Sequence, residues 1–239
     1  MTATQELRAE ISGRLAAVRE RIARAAARAA RRGEDVTLVA ISKTHPPEAV
    51  REAFAAGVRD FGENKVQEAE AKLAALADLR PQIRAHLVGH LQLNKARKAA
   101  QLFDRIHSLD APGLARKLEH YAAETGKVLD ALVQVDLAGE ATKHGADEAQ
   151  LFPLLEQVRG MRSLRATGLM LLPPLFEDPE QARPYFRRLR ALRDRALGEG
   201  LLLGGELSMG MSNDFEVAVE EGATLVRIGT SIFGERRRG

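Results

Sequence analysis

Hydrophobic positions along this chain follow two rhythms, one of helix type and one of strand type. From Thr4 to Arg32 the apolar residues Leu7, Ile11, Leu15, Val18 and Ile22 recur every three or four positions, which predicts one amphipathic helix. Gly33 is placed to end it. Beyond it, short apolar runs alternate with amphipathic stretches. Strands are predicted at Val36–Ile41, Val58–Phe61, Arg84–Val88, Arg105–Leu109, Val128–Asp136, Leu164–Leu171, Leu203–Leu207 and Thr224–Ile228. Helices are predicted near Pro47–Ala56, Glu63–Leu76, Leu93–Leu102, Ala111–Glu124, Ala146–Arg159, Pro179–Leu197, Ser212–Glu220 and Ile232–Arg237. Such alternation describes parallel βαβ units in the α/β class. The strand count predicts a closed (β/α)8 TIM barrel with an extra N-terminal helix, and a doubly wound open sheet is the alternative. No Ser/Pro/Gly-rich linker and no internal repeat divides the chain. We therefore expect a single domain over 1–239, with 1–33 as a helix packed on the barrel.

Composition narrows the function classes. The 239 residues carry 36 Lys+Arg against 33 Asp+Glu, a net charge of only +3, so the basic pI near 9.4 reflects abundant arginine rather than a dominant positive field. The arginines of the first helix (Arg19, Arg21, Arg24, Arg28, Arg31, Arg32) are spread around it without interleaved aromatics, the pattern of a solvated face, and nucleic acid is not expected as a partner. The chain contains no cysteine, which excludes disulfides, thiolate catalysis and cysteine-ligated metals. No apolar run approaches a membrane span, and the N-terminus carries Glu6, Arg8, Glu10 and Arg14 where a signal peptide needs an apolar core. A cytoplasmic protein without a membrane partner is expected.

The chemistry concentrates where strands end and βα-loops begin, the functional face of such a barrel. Lys43 follows the first predicted strand directly. An amine there must pair, reach water or lose its proton, and a lysine of lowered pKa is the usual nucleophile toward carbonyls. After the seventh strand, Leu207-Ser-Met-Gly-Met-Ser-Asn-Asp214 holds Gly210 for a tight turn, Met211, and Ser212 as the expected cap of a helix starting near Asn213. After the eighth, Arg227-Ile-Gly-Thr-Ser231 holds Gly229 for close backbone approach and Thr230 with its hydroxyl. Two donor loops side by side suit a phosphate. Arg227 joins Lys43 on the same rim, and Asn64 stands after the second strand. An amine, a cation and a phosphate cradle together describe pyridoxal 5'-phosphate (PLP), whose aldehyde, ring nitrogen and phosphate each need a partner.

The ordered segments Val39-Ala-Ile-Ser-Lys43-Thr, Phe61-Gly-Glu-Asn64 with Val66-Gln-Glu68, His86-Leu-Val-Gly-His-Leu-Gln92, Leu207–Asp214 and Val226-Arg-Ile-Gly-Thr230 resemble the pyridoxal phosphate homeostasis protein family, barrels similar to the N-terminal domain of alanine racemase. The resemblance implies Lys43 as the lysine that holds the cofactor, Asn64 beside it, Arg227 at the ring nitrogen, and Ser212, Gly229 and Thr230 at the phosphate. Met211 is grouped with them. Lys65 departs from the aromatic expected after Gly-Glu-Asn, and Leu93 from a serine.

An amino-acid racemase on this scaffold needs a second acid/base on the opposite face of Cα. The only tyrosines, Tyr121 and Tyr185, fall in helices expected outside the barrel. A carrier that buffers PLP or delivers it to PLP-dependent apoenzymes, as a monomer or weak dimer, is therefore expected rather than an efficient enzyme. A slow PLP-dependent racemase and a basic-helix nucleic-acid or protein-binding module are the other readings. His86, His90 and His107 suggest a metal, but no carboxylate sits at ligand spacing beside them and no metal site is expected. Lys143 and the tail Arg236–Arg238 would add charge near the same face.

Overall fold

The structure, a computed structural model, describes residues 3–139 and 144–235; Lys143 and Arg236–Arg238 lie outside them. Its strands are β1 (Thr37–Ile41), β2 (Asp60–Glu63), β3 (Arg84–Leu87), β4 (Arg105–Leu109), β5 (Leu129–Val135), β6 (Leu164–Leu171), β7 (Glu206–Ser208) and β8 (Leu225–Ile228). They pair in parallel in chain order, and β8 closes on β1 through Leu38↔Val226 and Val39↔Arg227. Closure removes both sheet edges and settles the barrel over the open sheet. The helices are α1 (Ala3–Arg28), α2 (Pro47–Ala55), α3 (Val66–Ala75), α4 (Ala96–Leu102), α5 (Pro112–Glu124), α6 (Glu148–Arg159), α7 (Arg183–Gly198), α8 (Phe215–Glu220) and α9 (Thr230–Phe233).

Local chemistry explains the starts. Pro47 and Pro112 open α2 and α5, where a missing N–H costs nothing. Asp147 caps α6 by accepting from Gln150 N at 2.8 Å, and Gln150 Oε1 accepts in return from Asp147 N at 3.2 Å.

Several boundaries differ from the sequence expectation; the last helix, expected near Ile232–Arg237, is α9 at Thr230–Phe233, and three others bear on the turns and strands. The first helix stops at Arg28, and the left-handed residue that turns the chain is Ala30 (φ 54°), not Gly33. β2 begins at Asp60, two residues late, which carries Glu63 into the strand rather than into the following helix. β7 begins at Glu206: Leu203 is 75 % exposed, and pairing with β6 starts only at Gly168↔Glu206, beyond Gly204 and Gly205.

Outward-facing strand residues and the helices form the larger apolar core, while Val39, Ile41, Val88, Leu132, Met170 and Leu225 form a smaller one inside the barrel. α1 buries Ile11, Leu15, Val18 and Ile22, the predicted stripe, against α2, α8 and α9. Of the six arginines from Arg19 to Arg32, Arg19, Arg24, Arg28 and Arg32 are exposed, as expected of a solvated face, and three of the six reach α8 or the turn after it. Arg21 pairs with Glu216 at 2.9 Å and lies 4.5 Å over the Phe215 ring, Arg28 pairs with Glu220 at 2.6 Å, and Arg31 donates to Val219 O and Ala223 O at 2.8 Å each. These three cations fasten α1 and the turn after it to α8 and the residues that follow it. Among the described residues no helix is long and apolar enough to cross a membrane.

Candidate functional site

A cavity of about 680 Å³ opens at the C-terminal ends of the strands, and Lys43, Asn64, Met211, Ser212, Arg227, Gly229 and Thr230 all line it. Leu172, Pro173, Pro174 and Phe176, from the loop after β6, add an apolar wall. Asn213 Nδ2 donates to Phe176 O at 3.1 Å and ties that wall to the loop after β7.

β1 ends at Ile41, whose side chain points into the barrel, and Lys43 follows in the turn 42–45, half-buried. Asn64 follows β2 just as closely. Gly89 lies against its backbone: a Cβ at residue 89 would stand 2.3 Å from Asn64 O, so only glycine permits this packing. Gly210 turns the loop after β7 at φ 92°, with no room for a Cβ against Ala218 and Phe215. Ser212 is not the helix cap. The helix starts at Phe215, and Asp214 closes the turn by accepting from Met211 N at 2.6 Å, which leaves Ser212 half-buried on the cavity wall. On the neighbouring loop Gly229 precedes the first turn of α9, whose leading N–H groups lie outside the helical ladder.

Arg227 is the most constrained of these groups. It points inward from β8, 3 % exposed, and burial pulls its pKa down to about 10 against the charge of Asp214, so it remains a cation at neutral pH. Its guanidinium donates to Ser208 Oγ at 2.6 Å and to Leu171 O at 2.8 Å. Ser208 Oγ lies 2.8 Å from His107 Nδ1, His107 Nε2 lies 2.9 Å from His86 Nδ1, and His86 Nε2 lies 3.0 Å from Asp60 Oδ1. Burial holds both imidazoles below their ordinary pKa, and therefore neutral. Burial also works against the Asp60 carboxylate, yet hydrogen bonds from His86 and Arg84 keep its pKa below the ordinary value.

The two ends fix every proton in this chain. A carboxylate only accepts, so His86 donates from Nε2 and accepts at Nδ1. His107 then donates from Nε2 and accepts at Nδ1 from the Ser208 hydroxyl, whose oxygen accepts the hydrogen bond from Arg227. The donors run one way, from Arg227 to Asp60.

A second buried network lies under the Lys43 turn. Lys72 Nζ donates to Glu63 Oε1 and to Ser42 O, both at 2.6 Å, and Ser42 Oγ donates to Glu63 Oε1 at 2.7 Å. Burial pushes the Glu63 carboxyl up despite the pull of Lys72, and its Oε2 has no hydrogen-bond partner among the described residues.

The sequence reading missed Glu63, Lys72, Ser208 and Asp60. One signal was visible: Lys72 shares the apolar stripe of α3 with Val66, Ala69 and Leu73. The expectation that no carboxylate accompanies the histidines is corrected, since Asp60 meets His86 and Asp110 Oδ2 lies 3.3 Å from His90 Nδ1. His90 also stacks on His144, ring centroids 3.5 Å apart, and one ligand-type atom from each of His90, Asp110 and His144 lies within 4.8 Å of the others. His86 and His107 are core residues. Tyr121 and Tyr185 sit on α5 and α7, and neither lines the cavity.

A parallel barrel with its cavity at the strand C-termini matches, over residues 14–237, the family model described as alanine racemase, N-terminal domain. Within that class, the chain belongs to the pyridoxal phosphate homeostasis protein family. It is 45% identical to the pyridoxal phosphate homeostasis protein of Aquifex aeolicus, with 94% of this chain and 97% of that protein covered, and 39% identical to the one of Escherichia coli K12, with 95% and 97% covered. PipY of Synechococcus elongatus, solved without PLP and with PLP bound, is 42% identical and superposes with TM-scores of 0.85 and 0.83, covering 94% of this chain and 100% of that one. The alanine racemase of Corynebacterium glutamicum, at 19% identity and a TM-score of 0.70, shares the fold.

Proposed function

We propose that this protein binds PLP and serves its homeostasis, holding the cofactor reversibly through Lys43 and buffering or delivering it to PLP-dependent apoenzymes in the cytoplasm, with the whole chain acting as one barrel domain. The observation that carries the reading is the single cavity lined by an amine, a guanidinium and two adjacent donor loops. The name shared by the relatives and the PLP-bound structure of PipY support it.

The donor set fits the group. When bound, PLP supplies an aldehyde, which forms a C=N bond with an amine and releases water. Lys43 Nζ is the amine. Arg227, a donor without an acceptor, would serve the ring nitrogen and would leave it unprotonated, which would weaken the ring as an electron sink. Asn64 would donate to the phenolic oxygen. Ser212 and Thr230 offer hydroxyls, and Gly229 and Thr230 offer backbone N–H groups, to the phosphate. Efficient turnover of amino acids is not expected, because neither tyrosine lines the cavity and its other ionisable lining groups are engaged, His90 with Asp110 and His144, and Asp214 with Met211 N.

The purified protein incubated with PLP should turn yellow. Borohydride should fix the cofactor to the peptide containing Lys43, and Lys43→Ala should abolish both signals. Amino-acid racemisation should stay near the rate of free PLP. A protein that remains colourless with PLP refutes the binding reading, and robust Lys43-dependent turnover refutes the carrier reading.

A further inference from the structure

Both neighbours of Lys43 are fixed by charged groups for which PLP binding provides no task. Ser42, 1 % exposed, is held at three points: its N–H donates to Gly62 O at 3.0 Å, its hydroxyl to Glu63 Oε1 at 2.7 Å, and its carbonyl accepts from Lys72 Nζ at 2.6 Å. On the other side Thr44 has φ 66°, in the left-handed region that a β-branched residue enters only under constraint. Its N–H donates to Glu68 Oε1. Glu68 and Lys72 stand one turn apart on α3 and are 3.5 Å from each other, so a single helix face grips both flanks of Lys43.

Stability alone is a weak reason for this arrangement. Lys72 and Glu63 have side chains 7% and 5% exposed, and desolvation of such a pair offsets most of its Coulomb attraction, so that an apolar pair of similar shape does as well or better. What the pair does supply is direction. Lys72 Nζ reaches the carbonyl immediately before Lys43, and Glu63 reaches the hydroxyl of the same residue. Thr44 is exposed, and its left-handed conformation goes with the bond from its N–H to Glu68 and with a turn closed by His45 N donating to Ser42 O at 3.1 Å.

We propose that Glu63, Lys72 and Glu68 are positioning residues that lock the Ser42–Lys43–Thr44 turn, so that the Lys43 amine is presented to an incoming aldehyde. The proposal rests on the reading of Lys43 as the attachment point. Rigid presentation matters because a misplacement of about 1 Å in a reacting group costs on the order of a hundredfold in rate. Glu68, which is less buried than the pair and meets the turn from its open side, is the member whose removal perturbs the fold least.

The test compares Lys72→Met, Glu68→Ala and Glu68→Gln with the wild type. Two probes are used: PLP, with the rate of borohydride-trappable attachment to Lys43 as readout, and pyridoxine phosphate, which keeps the ring and phosphate but lacks the aldehyde. Lys72→Met and Glu68→Ala should slow attachment roughly ten- to a hundredfold while pyridoxine phosphate binds within about twofold of wild type, because the phosphate loops are untouched. Glu68→Gln, which keeps the accepting oxygen, should recover most of the rate lost in Glu68→Ala. Should Lys72→Met fail to fold, the Glu68 pair decides the matter. Attachment at the wild-type rate in Glu68→Ala overturns the proposal, as does an equal loss for both probes, which would mark a structural role only. If the wild type gives no adduct at Lys43, the attachment reading itself falls and this proposal with it; a wild-type adduct with unaffected variants overturns the positioning role alone.

Discussion

Ser208→Ala cuts the buried hydrogen-bond chain at its narrowest point. Ser208 is 0% exposed, and its Oγ is both the acceptor for Arg227 and the donor to His107. Alanine removes one oxygen and strands two groups. Arg227 loses a charge-assisted bond, a loss of about 1.5–3 kcal/mol, and His107 Nδ1 is left a buried acceptor without a donor, at about 1–3 kcal/mol. Partial relaxation of the site brings the expected cost to about 3–5 kcal/mol. That is a large share of the ~5–15 kcal/mol that stabilises a protein, yet it leaves the variant folded. For a chain of this size it corresponds to a fall in melting temperature of roughly 6–20 °C.

Urea denaturation of wild type and variant gives the free-energy difference directly, and an unchanged m-value confirms that the unfolding reaction is the same. The proton order has its own check. Nitrogen-15 spectra of the wild type should show both His86 and His107 as Nε2–H tautomers. A cost below about 1 kcal/mol, within the range of ordinary surface substitutions, would refute the argument. So would a His107 that carries its proton on Nδ1, because the chain could not then run from Arg227 to Asp60.

Three further outcomes are expected. If the loops after β7 and β8 hold a phosphate, pyridoxal should bind far more weakly than PLP, by roughly 1.5–3 kcal/mol for each charge-assisted bond not replaced; Gly229→Val, whose Cβ would stand 3.1 Å from Ile41 O, should weaken PLP binding more than Thr230→Ala, and equal affinity for the two vitamers in calorimetric titration would refute the cradle. Stability should fall as pH drops below about 6.5, because the unfolded imidazoles of His86 and His107 take up protons that the folded ones refuse. The raised carboxyls of Glu63, Asp110 and Asp214 take up protons in the folded state and offset part of that loss; the imidazoles are therefore followed by their own proton resonances, which should titrate below the ordinary imidazole range. Leu15→Ala should cost about 2–5 kcal/mol in urea denaturation, since Leu15 is 0% exposed between α1 and the barrel, and a negligible cost would mean that α1 is detachable.

The barrel was legible because its signals are local. Each strand is a short apolar run, each helix an amphipathic stretch, and their alternation needs no knowledge of distant contacts. Lys43, Asn64 and Arg227 stood out for the same reason, as polar residues at the ends of apolar runs. The boundaries that slipped did so where local apolarity misled: Leu203 belongs to an apolar run but is exposed, and Gly33 occupies the expected stop while Ala30 makes the turn. The partners of the buried charges were not legible, because they are set by register between strands. His86 meets Asp60 across 26 positions of sequence, and His107 meets Ser208 across 101.

Those long-range pairings follow from a constraint on the barrel interior. Strand alternation sends Val39, Ile41, Leu132, Met170 and Leu225 inward, and the same alternation sends Asp60, His86, His107, Ser208 and Arg227 inward as well. Burying a polar group inside costs free energy unless it is hydrogen-bonded there. One solution is a chain whose first member only donates and whose last only accepts. It begins with Arg227 on the cavity wall and ends at Asp60, which Arg84 meets at 2.8 Å with a side chain 63% exposed. Because both ends are fixed, no member can flip without orphaning its neighbour. The side chain that faces the cavity therefore inherits its orientation from residues that never touch a ligand, and a site with few catalytic groups can still be rigid.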